Sequence, residues 1–210
     1  MTRTGGLSRR RAETRRRLIE AAYEVFSELG IRDAPVELIC ERAGFTRGAF
    51  YSNFASKEEL FLALYEVQME QRADRLLVAV STAAASTPAD VTAVAEKASA
   101  LFADSVAADT TWYLLYAEFR AQALRQPELR AATAAAEQRF HQVVAEILFG
   151  MLDRLGARLT VDPRSAVVTI TALYEAMLER TLIDESPESG SRYLTEVLPR
   201  LVGALIAPAE

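Results

Sequence analysis

Apolar residues recur along this chain at steps of three and four, and no stretch alternates as a half-buried strand would. Between residues 11 and 29, Leu18, Ala21, Ala22, Val25, Phe26 and Leu29 form one stripe. That stripe predicts a first helix, with Gly30 as the glycine just past its end. Pro35 suits the first position of a second helix, whose first turn gains an acid in Glu37. Leu38, Ile39 and Ala43 give it a buried side, and Gly44 terminates it. Thr46 is a good N-cap for a third helix that carries Phe50 and Phe54 at i and i+4. The run Ser56-Lys57-Glu58-Glu59 then reads as a capping box, with Ser56 at the cap and Glu59 at the third helical position. It opens a long fourth helix through Leu60, Leu64, Val67, Leu76 and Val80.

Past residue 86 the pattern turns alanine-rich and is punctuated at Thr87-Pro88, Ala108-Asp109, Gln126-Pro127, Asp162-Pro163 and Ser186-Pro187. Each pair starts a helix well and continues one badly. The last two helices are expected at about 163–184 and 188–206, with Val167, Ile170, Leu173 and Met177 on one and Leu194, Leu198, Leu201 and Leu205 on the other. The fold class is therefore all-α. Residues 1–56 form a basic arm and a three-helix domain, and 57–210 a larger helical domain reached through the fourth helix.

Charge divides the chain the same way. The net charge of −5 conceals 11 Lys and Arg against 7 Asp and Glu in residues 1–57, and 13 against 22 in the remainder. Seven arginines in the first 17 residues face one acid, Glu13. Clustered arginine is the electrostatic footprint of a polyanion partner, and equally the composition of a solvated tail. No run of about 18 apolar residues is present, so no membrane span is expected. The basic start lacks the apolar stretch of a secretory signal. A single cysteine, Cys40, fits a reducing cytoplasm and excludes an internal disulfide.

The stretch GFTRGAFYSNF, Gly44 to Phe54, carries the most specific chemistry. Two short helices either side of a glycine turn form a helix-turn-helix, whose second helix enters the major groove of DNA. With Phe50 inward, Gly48 and Ser52 lie opposite it, flanked by Ala49 and Tyr51. Small residues there admit base edges. Arg47, in the first turn, can reach guanine O6 and N7 in bidentate fashion, and Ala49 a thymine methyl. Thr46, Tyr51 and Asn53 are better placed for phosphate oxygens, as is Lys57 beside the first amides of the fourth helix. A short capped helix with two phenylalanines is also an ordinary core corner, and the spacing alone does not separate the two.

Thr14 to Phe61 resembles the DNA-binding domain of the tetracycline-repressor (TetR) family, most closely in Ala-Gly-Phe-Thr-Arg-Gly-Ala-Phe-Tyr at 43–51, in Phe54 and in Ser-Lys-Glu-Glu-Leu at 56–60. The resemblance implies a homodimeric all-helical repressor that binds double-stranded operator DNA and is released by a small effector. It places Thr14, Thr46, Arg47, Gly48, Ala49, Tyr51, Ser52, Asn53 and Lys57 at the family's DNA contacts. Ala34 stands where a capping threonine is usual, Leu38 where an acid is common and Cys40 where alanine is common; Asn53 occupies a site where histidine is frequent. The resemblance further implies that the final two helices pair with those of a second subunit.

In the larger domain Trp112, Tyr116 and Phe119 fall on one side of one helix, and Phe140 and His141 near the apolar side of another. With Tyr174 and Met177 they are the candidate lining of a pocket for a small apolar or amphipathic effector. The same residue types also build plain bundle core. No cofactor or metal is expected, since one histidine and one cysteine make no multi-ligand set. No enzyme motif stands out, although a carboxylate-based hydrolase and a helical interaction scaffold remain open alternatives.

Overall fold

A computed structural model describes residues 4–86, 91–106, 110–183 and 193–208. The expected breaks at 87–88, 108–109 and 186–187 lie outside these residues, as do 188–192 of the expected last helix and the side chain of Leu194. The chain folds as α1 Thr4–Asp33, α2 Val36–Ala43, α3 Arg47–Tyr51, α4 Lys57–Ser86, α5 Val91–Val106, α6 Thr110–Arg125, α7 Pro127–Arg154 and α8 Pro163–Ile183. A π-helical turn at Tyr193–Val197 leads into α9, Leu198–Ala204.

The all-α architecture holds, with one addition. Strand β1, Ala157–Leu159, pairs antiparallel with β2, Ile206–Pro208, through Ala157↔Pro208 and Leu159↔Ile206. Three-residue strands are too short to leave an alternating pattern, so periodicity does not reveal them. Helix boundaries follow the caps. Asp162 accepts from the Ser165 amide at 2.9 Å at the start of α8, and Ser56 from the Glu59 amide at 3.2 Å at the start of α4. The Glu59 carboxylate reaches back to the Ala55 amide at 2.7 Å, one residue beyond the usual box partner. Pro35 serves α2 as the extended residue before its first turn rather than as that turn's first position.

The chain forms two compact units, one of residues 1–68 with 111–136, the other of residues 69–110 with 137–210. In the first, α1 to α3 bury Leu18, Ala22, Val25, Phe26, Ile39, Phe50 and Phe54 together with Phe61 and Leu64 of α4. Phe61 stacks on Phe119 of α6 with ring centroids 4.3 Å apart, and on Trp112 at 5.7 Å. Tyr65 lies 5.3 Å from Tyr116. In the second unit, Ala83, Val94, Ala98, Met151 and Leu152 form one core, and Ala95, Met177, Leu198 and Val202 another. No described helix is long and apolar enough to cross a membrane.

Candidate nucleic-acid interface

Helix α3 has five residues, too few to persist alone, so its neighbours must hold it. Gly44 does so at one end. At φ +73° it lets its own amide reach the Glu41 carbonyl at 3.0 Å, while the Phe45 amide bonds the Cys40 carbonyl at 2.9 Å. These two bonds are the Schellman end of α2. Thr46 then caps α3, its hydroxyl accepting from the Ala49 amide at 3.3 Å. Phe50 and Phe54 are fully buried, with rings 6.0 Å apart. Arg15 of α1 closes the far end: its guanidinium lies 4.2 Å from the centre of the Phe54 ring and donates to the Asn53 carbonyl at 2.9 Å. Neither contact of Arg15 leaves a sequence signal beyond the basic run itself.

The opposite side is open. Thr46, Arg47, Gly48, Tyr51 and Ser52 are exposed, and Ala49 and Asn53 half-buried. A Cβ built on Gly48 would meet only the Thr46 hydroxyl, at 3.7 Å, an ordinary contact. The fold therefore places no demand for glycine there. Arg47 pairs with Glu37 of α2 and lies 5.8 Å from the Tyr51 ring centre. Both partners are more than half exposed, so this pair is weak and readily exchanged. Ser52 donates to the Ala49 carbonyl at 2.9 Å, and Asn53 through its amide to the same carbonyl at 2.8 Å. Thr14 donates to the Arg10 carbonyl at 2.9 Å. These three side chains must rotate before they can donate to a phosphate.

Lys57 is differently placed from a surface phosphate ligand. Its ammonium donates to the carbonyls of Ile31 at 2.7 Å and of Arg32 and Ala34 at 2.9 Å each, which uses its three donors. The same corner is held from its amide side. Gly30, at φ +77°, turns the amides of Ile31 and Arg32 toward Glu118 of α6, which accepts them at 3.0 and 2.9 Å. Gln122, one turn further along α6, donates to Glu58 at 3.1 Å. Glu118 escaped sequence reasoning because its partners lie 86 and 87 residues away.

The effector candidates separate between the two units. Trp112, Tyr116 and Phe119 are buried in the first, Trp112 and Phe119 stacked on Phe61 and Tyr116 tilted against Tyr65. Phe140, His141, Tyr174 and Met177 belong to the second. His141 shares a 3.2 Å hydrogen bond with the Thr171 hydroxyl, and burial holds its imidazole below the usual range against the opposing pull of Glu137. Tyr174 packs on Phe102 at 5.8 Å, and Met177 on Leu198 and Val202. Phe140 packs with Val144 and Val167. A half-open cleft of about 310 Å³ runs between Leu77, Val80 and Ala84 of α4 and Ile147, Met151 and Leu155 of α7, and none of the seven candidates lines it. Among the described residues, no group of three or more His, Cys, Asp or Glu is placed to hold a metal ion.

Residues 18–64 match the family of bacterial regulatory proteins called tetR. The chain is similar to the HTH-type transcriptional regulator SrpR of Pseudomonas putida, 48% identical over 52 residues, which is 25% of this chain and 24% of that protein. This match thus spans about a quarter of the curated relative's length. A longer similarity joins it to the HTH-type transcriptional activator FasR of Mycolicibacterium smegmatis, 28% identical over 183 residues, 86% of this chain and 80% of the relative. Among solved structures, the transcriptional regulator FadR of Bacillus subtilis, in complex with stearoyl-CoA, superposes with a TM-score of 0.64 at 19% identity, covering 89% of this chain and 96% of its own.

Proposed function

Because the chain belongs to the TetR family of bacterial regulatory proteins, we propose that it is a DNA-binding transcriptional regulator, a repressor that binds a pseudo-palindromic operator as a homodimer and is released by a small effector. One observation carries the DNA-binding reading: at Gly48, on the exposed side of α3, a Cβ would fit without a clash, so the fold does not require glycine there, and Arg47 stands exposed at the first position in an exchangeable pair with Glu37. A helix with that face can lie against base edges while Arg47 reads a guanine and Tyr51 and Thr46 take phosphates. For Ser52, Asn53 and Thr14 the contact includes a side-chain rotation. Lys57 is proposed to contribute its backbone amide at the start of α4.

Domains are proposed at 1–56 for DNA and 57–210 for effector and partner. Val168, Ile183 and Leu201 are large apolar side chains left exposed on α8 and α9, which supports their use against a second copy of the chain. A dimer of this kind spaces two recognition helices about 34–36 Å apart, one turn of DNA. The effector is proposed to be apolar or amphipathic, in line with the stearoyl-CoA held by FadR. In the second unit Phe140, His141, Tyr174 and Met177 are its proposed lining, with the cleft on α4 and α7 as a further apolar wall. For Trp112, Tyr116 and Phe119 a ligand would first have to part a closed aromatic stack. Coupling of about 1–3 kcal/mol between effector and operator would change affinity roughly 5- to 150-fold, and α4 is the proposed carrier.

The test is selection of bound fragments from the source genome, followed by a salt series on the selected duplex. Affinity should fall with a log–log slope of about −0.9 per phosphate neutralised, and failure to select any duplex sinks the proposal. Expression of the neighbouring genes in a deletion strain decides the sign: a rise supports repression, a fall makes this an activator as FasR is named. On the selected duplex, Arg47→Ala should cost about 1–3 kcal/mol and relax preference at one base pair; a uniform loss across sequences would move Arg47 to the phosphates. Gly48→Ala should separate fold from function. Alanine in the helix should raise stability by up to about 1 kcal/mol in thermal unfolding, while operator affinity drops. Improved stability with unchanged affinity would mean that this face does not meet DNA.

A further inference from the structure

The corner between α1 and α2 is gripped through both backbone polar groups of the same two residues. Ile31 and Arg32 give their amides to Glu118 and their carbonyls to Lys57. Gly30 makes the arrangement possible, since a Cβ there would stand 3.2 Å from the Glu118 carboxylate and φ is +77°. From this corner the chain passes through Ala34, itself buried and held by Lys57, to Pro35, whose carbonyl accepts from the Leu38 and Ile39 amides as α2 begins. Helix α3 follows from α2 through the Gly44 turn, so an error at Ile31–Arg32 is carried directly to the face that carries Arg47. Glu118 is fixed in turn, because its neighbour Phe119 is stacked on Phe61 and Gln122 is bonded to Glu58.

We propose that Glu118 of α6 is a positioning residue for DNA binding: it touches no nucleic acid, and its carboxylate on the Ile31 and Arg32 amides sets the corner from which the helix-turn-helix departs. The proposal rests on the DNA-binding reading above. A carboxylate suits the task because it offers a separate charged oxygen to each of the two amides, where a glutamine side chain offers a single neutral one. In the Ile31–Arg32 peptide the acid holds the amide end and Lys57 the carbonyl end, so each partner strengthens the other's bond.

The experiment uses the full chain with Glu118→Gln and Glu118→Ala, and reads three quantities: exchange of the Ile31 and Arg32 amides, affinity for the selected duplex, and the salt slope. Gln keeps one acceptor and Ala none, so amide protection and affinity should fall in the order wild type, Gln, Ala. For Gln the loss of affinity should be about tenfold, the scale of one charge-assisted bond, with the salt slope unchanged because no phosphate contact is lost. A general loss of packing would instead deprotect amides throughout the unit and follow the melting temperature. If Ala fails to fold, the isosteric Gln variant decides. Wild-type protection at Ile31 and Arg32 in Gln overturns the proposal, as does local deprotection with wild-type affinity. A wild-type chain that selects no duplex defeats the DNA-binding reading, and this proposal with it; the exchange arm then reports only whether the carboxylate holds the corner.

Discussion

Phe61→Ala is expected to remove about 3–5 kcal/mol of folding stability, a large share of what a domain of this kind possesses. The ring is fully buried and has aromatic neighbours on three sides: Phe119 at 4.3 Å, Trp112 at 5.7 Å and Phe26 at 6.2 Å. Two of these belong to α6 and one to α1, so the cavity would open where three helices meet. Partial collapse cannot fill it, because the neighbouring side chains are themselves stacked and in contact on their other faces. Urea unfolding at 25 °C measures the loss directly, and Phe61→Leu should cost less because it keeps much of the volume. A loss below about 1 kcal/mol for the alanine variant would show that the helices are held elsewhere.

Lys57→Met is expected to cost about 2–4 kcal/mol, which exceeds what any exposed ion pair in this chain can supply. The methionine stem keeps the packing but leaves three carbonyls without their charged donor, and those of Ile31 and Ala34 are bonded in part-buried positions. Operator affinity should weaken as the corner loosens, with no change in the salt slope. The sequence alone points elsewhere: a lysine at the first position of a helix facing DNA is expected to neutralise a phosphate, and its loss would then flatten the slope by about 0.9. A flattened slope with unchanged urea stability would return the ammonium to DNA and dismiss its structural role.

Much of the candidate interface is legible because its determinants are local. Gly44, Thr46 and the Phe50–Phe54 pair each act through contacts that span no more than five residues, so spacing and capping chemistry specify the turn and the inward side of α3. Leu29 shows where a local rule stops. It belongs to the apolar stripe of α1 by periodicity, yet is 45% exposed, because the chain turns at Gly30 before the stripe is completed. The corner beyond it depends on Lys57 and Glu118, which are distant in sequence and carry no pattern that names their partners. Trp112, Tyr116 and Phe119 are readable as one aromatic side of a helix. What that side meets is not, since Phe61 and Tyr65 come from some 50 residues earlier, and a pocket wall and a core stack use the same residue types.

The first unit is built from two separated pieces of chain, residues 1–68 and 111–136. During synthesis α3, which carries Arg47 and Gly48, emerges before α6, and Phe61 has no Phe119 and Ile31 no Glu118 until the ribosome has added the second piece. At about 5–20 residues per second, the interval from residue 68 to residue 136 lasts several seconds. Through that interval the nascent chain exposes one half of an aromatic stack. The helices proposed to read DNA are therefore made well before the segment that completes their unit.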